Sequence, residues 1–371
     1  VDRIECFDVT IIGGGPAGLF SAFYSGLREM KTKIIEYQPT LGGKVHVYPE
    51  KIVWDVGGLP PVPGAELMEN LVAQGLTFDP EVILNEKIES IRRTEEGIFE
   101  LRGPSGRKHL SRTVIMAVGG GILKPQKLPI EGAEKFEITN LHYTVKSLKQ
   151  FKDKTVIISG GGNSAIDWAN ELESIAKKVY ITYRKDQFTG HEAQISRLMN
   201  SSVTCCFHTT ITKLVADKNH KKIESIELAN TRTGDISYLS VDDVVINHGY
   251  DRDSSLMKNS RIDIQLIDDY FIAASPMGES SIPGLYGAGD ILKHDGKLHL
   301  IAGAFQDAAN AVNKAKQFIE PEATEYGMVS SHNEIFAERN KKLVKGIVRK
   351  SRLKLNRQLV TAGRWEVFIV C

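Results

Sequence analysis

The chain has 371 residues, 42% hydrophobic and 25% charged, the mix of a folded globular protein with a length that suits about two domains. That composition excludes a disordered, collagen-like or disulfide-scaffold chain. Net charge is +1 but unevenly spread: residues 339–371 hold ten Lys or Arg against one acid, Glu366, a net +9 that leaves −8 on residues 1–338. The uncharged stretch from Thr113 to Leu123 is 11 residues long, short of the ~20 that a membrane helix needs. The N-terminal residues carry no signal-peptide pattern. The four cysteines, Cys6, Cys205, Cys206 and Cys371, form no CxxC and no disulfide framework. A soluble, cytoplasmic protein is expected, with no metal, no membrane association and no nucleic-acid partner.

In chain order, Phe7–Ile12 is an apolar, β-branched run that reads as a buried parallel strand. It leads into Gly13-Gly14-Gly15-Pro16-Ala17-Gly18 and then a helical stretch rich in Ala, Leu and aromatic residues. A second strand, Thr32–Ile35, ends on Glu36, 23 positions after Gly13. This is the dinucleotide fingerprint in its supporting context. Gly13 permits the tight turn, Gly15 lets a pyrophosphate approach, Gly18 lets helix and strand pack, and Glu36 suits ribose hydroxyls. The helix N-terminus offers free N–H groups to phosphate.

The pattern recurs. The strand Thr155–Ser159 runs into Gly160-Gly161-Gly162-Asn163-Ser164-Ala165 and a helix to about Ala176. The next strand, Val179–Thr182, ends on Tyr183-Arg184-Lys185 instead of an acid. Arg and Lys at this place suit a 2′-phosphate, so this second site is expected to prefer NADPH to NADH. Two further segments argue for one flavin and one nicotinamide over a tandem dehydrogenase. Thr113–Gly119 is a strand ending in glycine, and Leu285–Asp290 is a short strand ending in Gly289-Asp290 before a helix from about Ala302 to Phe318.

On these segments, with Leu41-Gly42-Gly43-Lys44, Tyr48-Pro49-Glu50-Lys51 and Tyr183–His191, the sequence resembles the two-dinucleotide-binding flavoproteins of the thioredoxin reductase type. More narrowly, it resembles the thioredoxin reductase-like ferredoxin–NADP reductases of bacteria, over about residues 5–337. The resemblance implies an α/β fold of two Rossmann-like dinucleotide-binding domains, with the NADPH domain inserted into the FAD domain. It places FAD on Gly13, Gly15, Pro16, Ala17, Gly18, Glu36, Gly43, Lys44, Gly289 and Asp290, with Tyr48 against the isoalloxazine. Ile88 and Leu123 match flavin-pocket positions, and Lys44 stands where many members have Gln. Ser331-His332, ahead of Ile335-Phe336, matches the hydroxyl and His that cover the nicotinamide-facing side of the flavin. NADPH falls to Gly160, Gly162, Asn163, Ser164, Ala165, Arg184, Lys185 and His191. Thr189 replaces a third basic residue common there, which predicts softer NADPH selectivity.

Because Gly13 and Asp290 serve one flavin on either side of the second glycine loop, the expected division is discontinuous. Residues 1–119 and 251–337 form the FAD domain, 120–250 the NADPH domain and 338–371 a basic tail. The glycine-bearing crossings Val118–Gly121 and Asn247–Tyr250 suit paired hinges for a domain rotation. The resemblance implies hydride transfer from NADPH to flavin N5 and then one-electron steps to ferredoxin or flavodoxin, in a homodimer. Thioredoxin reductase chemistry needs an internal dithiol, and near its place this chain reads Asn140-Leu141-His142-Tyr143. No side chain is assigned as a catalytic acid or base. A thioredoxin reductase-like flavoprotein with another acceptor, and a redox-sensing FAD- and NADPH-binding protein without turnover, stay open as alternatives. The tail, with Leu343, Ile347, Leu353, Leu355 and Leu359 at helical spacing, either steers an acidic partner or is a passive extension.

Overall fold

The computed structural model describes residues 4–121, 124–251, 253–327 and a few positions between 334 and 344. Leu123, Ser331, His332 and the chain beyond 344, with Cys371, lie outside the described residues. Val1–Ala323 is one compact unit and Thr324–Cys371 a second. Of the second unit, a 3₁₀ turn at Glu334–Phe336 is described.

Strand β1 (Cys6–Ile12) enters the first glycine turn, α1 (Pro16–Leu27) leaves it, and β2 (Thr32–Ile35) returns parallel to β1. Pro16 starts the helix without loss, since its missing N–H has no partner in a first turn. A hairpin of β3 (Ile52–Val53) and β4 (Val62–Pro63) and helix α2 (Gly64–Gly75) precede β5 (Glu81–Ile83), β6 (Ser90–Arg93), β7 (Phe99–Arg102) and β8 (Lys108–Met116). The seven-stranded sheet runs β5-β2-β1-β8-β7-β6. The first half of β8 pairs antiparallel with β7; its second half pairs parallel with Leu285–Gly287, each residue 171 positions beyond its partner.

After β9 (Lys124–Pro125), the chain builds a parallel five-stranded sheet from β10 (Leu141–His142), β11 (Thr155–Ser159), β12 (Lys178–Tyr183), β13 (Thr204–Phe207) and, later, β17 (Asp243–Ile246), in the order β10-β17-β11-β12-β13. Helix α3 (Asn163–Leu172) joins β11 to β12 and α4 (Glu192–Met199) joins β12 to β13. Helix α3 stops four residues before the expected Ala176, where the Ile175 N–H leaves the α ladder for the Leu172 carbonyl three residues back and the last turn tightens. An antiparallel layer of β14 (Thr209–Ala216), β15 (Ile223–Asn230) and β16 (Ile236–Ser240) covers the other face. Val156, Ile158 and Val245 pack toward α3, and Ile157, Val244 and Ile246 pack toward this layer.

The return is marked by β18 (Tyr250–Asp251), antiparallel to β9, so outgoing and returning segments run side by side. Helix α5 (Ser255–Asn259), β19 (Leu266–Ile267), β20 (Phe271–Ala273), β21 (Leu285–Gly287), β22 (Leu292–Lys293) and the long helix α6 (Ile301–Ile319) follow. On one face of the seven-stranded sheet, α1, α2 and α6 form a core of Leu19, Leu67, Leu71, Ala308 and Val312. On the other face, Ile12, Phe99 and Leu101 pack with Leu256, Ile272 and Leu292. We call the bodies around the two sheets the first and second lobes.

Buried Glu100 on β7 receives both Arg92 N–H groups of a bidentate pair, at 2.9 and 2.8 Å, and a further bond from Arg102. Arg92 above all, with Arg102, pulls its carboxyl from 4.5 to about 2 against the opposing effect of burial. A depressed carboxylate stabilises the fold fully above its unfolded value and loses that contribution as pH falls through the folded value. Stability should therefore drop between about pH 4.5 and about 2, and Glu100→Gln should flatten that part of the profile. Urea midpoints measured across this range check it.

Candidate functional site

The register of three parallel strands builds the site. Ile12 of β1 and Gly287 of β21 both stand beside Met116 of β8, so the three strands end at one level. Beyond their carboxyl ends lie the Gly13–Gly15 turn, Ala117–Gly121 and Gly289-Asp290, the edge where open α/β sheets take ligands. A cleft of about 650 Å³ opens there. Gly13, Gly15, Pro16, Ala17, Glu36, Gly43, Lys44, Tyr48, Ile88, Gly289 and Asp290 all line it. Gly18 does not: it sits beneath, where a Cβ would lie 1.8 Å from the Gly13 carbonyl oxygen.

The first glycine turn divides its labour between a strained position and an open one. Gly13 has φ +107°, and a Cβ there would meet the Ala117 carbonyl oxygen at 2.4 Å, so nothing but glycine lets β1 and β8 end together. Gly15 has φ −78°, and its Cβ would meet only the Gly43 Cα, at 3.7 Å. Its bareness answers to no neighbour in the protein; it leaves a cradle above the uncapped start of α1. Glu36, buried at the end of β2, accepts the N–H of Gly14 at 2.6 Å and of Gln38 at 2.7 Å, one on each oxygen. Each oxygen keeps a lone pair for a hydroxyl.

The second turn repeats this geometry. A Cβ on Gly160, φ +150°, would meet the Asn247 carbonyl oxygen at 2.4 Å, whereas one on Gly162 meets nothing within 4 Å. Asn163 accepts the His191 N–H at 2.8 Å, and Thr189 donates its N–H to Gly161 at 2.7 Å, folding the 184–191 segment back over the turn. Arg184, Lys185 and His191 are exposed. Ala165 is buried in the second core. Of these second-site residues only Ser164 lines the cleft, joined by Trp168 one turn along α3 and by Tyr143, Thr144 and Asn247. The cleft is thus walled by both lobes.

Several lining residues have no sequence signature. Lys87 meets Asp253 at 2.8 Å, joining positions 166 residues apart. Burial would raise the Asp253 carboxyl, but bonds from Lys87 and Ser255 outweigh it and bring it to about 2. Trp54, 75% exposed, and Asp55 extend the wall from the β3–β4 hairpin. The Tyr48 phenol is pushed up by burial and by Asp290 and Asp55, which keeps it protonated. Asp307 sits under the cleft: buried on α6, it accepts the Gly289 N–H at 3.1 Å and pairs with buried Lys297 at 2.9 Å. A faint signal existed for it, an acid within an otherwise small, buried face of Gly303, Ala304, Ala308 and Ala311.

Among the described residues, no cluster of His, Cys, Asp and Glu suited to a metal occurs, and no helix is long and apolar enough to cross a membrane. A profile of the pyridine nucleotide-disulphide oxidoreductase family matches residues 7–315. Ferredoxin–NADP reductase 1 of Bacillus cytotoxicus is 70% identical over 94% of this chain and 100% of its own length. Ferredoxin–NADP reductase 2 of Exiguobacterium sibiricum is 63% identical over 95% of this chain and all of its own. Among solved structures, a Lactococcus lactis thioredoxin reductase (FR conformation) matches with a TM-score of 0.73 at 23% identity, over 84% of this chain and 99% of its own, a likeness of fold.

The contrast between the two glycines is testable. On the expectation that this cradle takes a flavin dinucleotide, Gly15→Val should fold, melting with the cofactor-stripped wild type, yet retain no yellow chromophore, because the side chain fills the cradle. Gly13→Val should fail at folding, since backbone strain alone costs about 1–3 kcal/mol before the clash with Ala117 is counted. Absorbance at the flavin bands and thermal melts separate the two outcomes; full chromophore in Gly15→Val would remove the phosphate cradle from this turn.

Proposed function

We propose that this chain, which belongs to the pyridine nucleotide-disulphide oxidoreductase family, is an FAD-dependent enzyme that carries electrons between NADPH and ferredoxin or flavodoxin. The observation that carries this reading is the one cleft reached by the first glycine turn directly and by the helix leaving the second through Ser164. The relatives 70% and 63% identical over nearly the whole chain are ferredoxin–NADP reductases, which supports ferredoxin as the acceptor. On this reading, residues 1–119 and 251–337 hold FAD and residues 120–250 hold NADPH.

The residues present fit both groups. The bare face of Gly15 and the start of α1 take a pyrophosphate, and the spare lone pairs of Glu36 take ribose hydroxyls. Asp290 and Tyr48 line the far part of the cleft, with the Tyr48 phenol held neutral beside the acid. Gly162 and α3 repeat the cradle for a second dinucleotide, and exposed Arg184 and Lys185 suit its 2′-phosphate. FAD, when bound, supplies a two-electron acceptor for NADPH that can discharge to a carrier one electron at a time. The protein's share is orientation and exclusion of water: Ile12, Ile88, Val118 and Trp168 give the cleft apolar walls.

The family's description names disulphides, but this chain has no CxxC. Cys205 and Cys206 are neighbours within β13, and burial pushes both thiols up; burial and then Asp8 do the same to Cys6 on β1. Such thiols are poor nucleophiles. Electrons therefore leave to an external carrier.

Side-by-side assays of NADPH-driven reduction of ferredoxin, flavodoxin and thioredoxin should give turnover with the first two and none with the third. Arg184→Ser with Lys185→Ser should remove about 2–4 kcal/mol of the preference for NADPH over NADH. An unchanged ratio of kcat/KM for the two nucleotides would place the 2′-phosphate elsewhere.

A further inference from the structure

Of the Tyr48-Pro49-Glu50-Lys51 segment, Tyr48 and Lys51 line the cleft, and the Glu50 and Lys51 head groups reach the other lobe. The Lys51 ammonium pairs with Asp167 on α3, one residue before Trp168 and one turn after Ser164. Their side chains are 32% and 20% exposed, so the pair is partly withdrawn from water. Glu171, a further turn along α3, also feels the Lys51 charge. The Glu50 carboxylate accepts the Leu148 N–H at 3.0 Å, at the start of a 3₁₀ turn whose Phe151 is fully buried in the second core. The Tyr48 ring packs on that same core.

The segment is fixed at its own end. The N–H groups of Gly64 and Ala65, opening α2, donate to the Lys51 and Pro49 carbonyls, both at 2.9 Å. A rigid arm of the first lobe thus grips the second at two separate points, on α3 and on the turn at Leu148. The chain crosses between the lobes at Val118–Gly121 and Asn247–Tyr250, where Gly119, Gly121 and Gly249 all have positive φ. Glycine-bearing crossings of this kind set no relative orientation by themselves.

We propose that Glu50 and Lys51 are positioning residues, a two-point latch that holds the lobes so that the Ser164 end of α3 faces the cleft. This rests on the reading that the second lobe brings NADPH to that cleft. Loss of the latch leaves both glycine turns intact but lowers the fraction of molecules with the two sites aligned; flavin content and dithionite bleaching check that the cleft wall left by Lys51 still holds the flavin. For a partly exposed ion pair the expected loss is about two- to fivefold in the limiting rate at which NADPH bleaches the flavin, with half-saturation by NADPH unchanged.

The test uses the full chain. Lys51→Gln and Asp167→Asn should each slow NADPH-driven bleaching in stopped flow by about that factor, while flavin content and bleaching by dithionite match wild type. Lys51→Asp combined with Asp167→Lys should restore the rate, which a merely structural role for either side chain would not give. A second readout needs no turnover: spin labels at exposed Glu69 and Lys218, with the native cysteines replaced by serine, report the lobe-to-lobe distance. The distribution should broaden in Lys51→Gln and narrow again in the swap. Wild-type rates together with wild-type distances in both single variants would overturn the latch. Should NADPH fail to bleach even the wild type, the functional reading falls, and the distance distributions alone decide the latch.

Discussion

The parallel register that sets Ile12, Met116 and Gly287 side by side fixes where three separate crossings of the chain leave the first sheet. From it follow the close approach of Gly13 to the Ala117 carbonyl, the seat of Gly289 against Ala17, and the gap above Gly15. A slip of one residue in β1 or β21 would turn every buried side chain of that strand to the other face. It would also part Asp290 from the glycine turn. The second sheet obeys the same constraint, with Ser159 level with both Thr182 and Ile246 and Gly160 packed on Asn247. The two copies of this backbone solution differ in chemistry at the end of the next strand, Glu36 in one and Arg184 with Lys185 in the other, and in the last turn position, Gly18 against Ala165.

Two ion pairs brace the cleft, one in its wall and one beneath it. Lys87 with Asp253, and Lys297 with Asp307 beneath the Gly289 turn, are half-buried or buried and bonded on both sides. Breaking one partner of such a pair strands the other charge, which makes these contacts rigid fixtures of the wall. Glu36 is also pre-bonded to backbone N–H groups, so its carboxylate is oriented before any ligand arrives. The apolar remainder of the wall excludes water, and the glycine turns leave backbone donors as the polar contribution. This is the distribution of parts that suits a large, anionic, aromatic ligand.

The second lobe completes the cleft by contact across lobes, with the Glu50 and Lys51 arm on one side and α3 on the other. Both crossings between the lobes are short and carry glycine, three in one and one in the other, and Tyr270 steadies the first by donating to the Gly119 carbonyl at 3.1 Å. The geometry of the joint is therefore set by side-chain pairs between lobes more than by the connecting backbone. Under the proposed function, electron carriage between two nucleotides depends on that geometry directly, because the reacting rings must meet in one space.

Reading the residues in order was enough for both glycine turns, the strands that enter them, Glu36, and the contrast with Arg184 and Lys185. The turns are legible because Gly13, Gly18 and Gly160 answer a positive φ or a close approach that only glycine meets, and the strand-end charges because they fall at a fixed spacing from those turns. The positions of Tyr48, Ile88 and Asp290 in one cleft came by resemblance, and the strand register supplies their physical cause. Tertiary structure alone decided the rest. Lys87 with Asp253, Lys51 with Asp167 and Asp307 under Gly289 join residues far apart in the chain, and no periodicity marks a residue whose partner is set by how two sheets and two lobes come to rest. The end of α3 at Leu172 belongs here too, since the residues after it keep helical propensity and are turned aside by the need to start β12 beside β11.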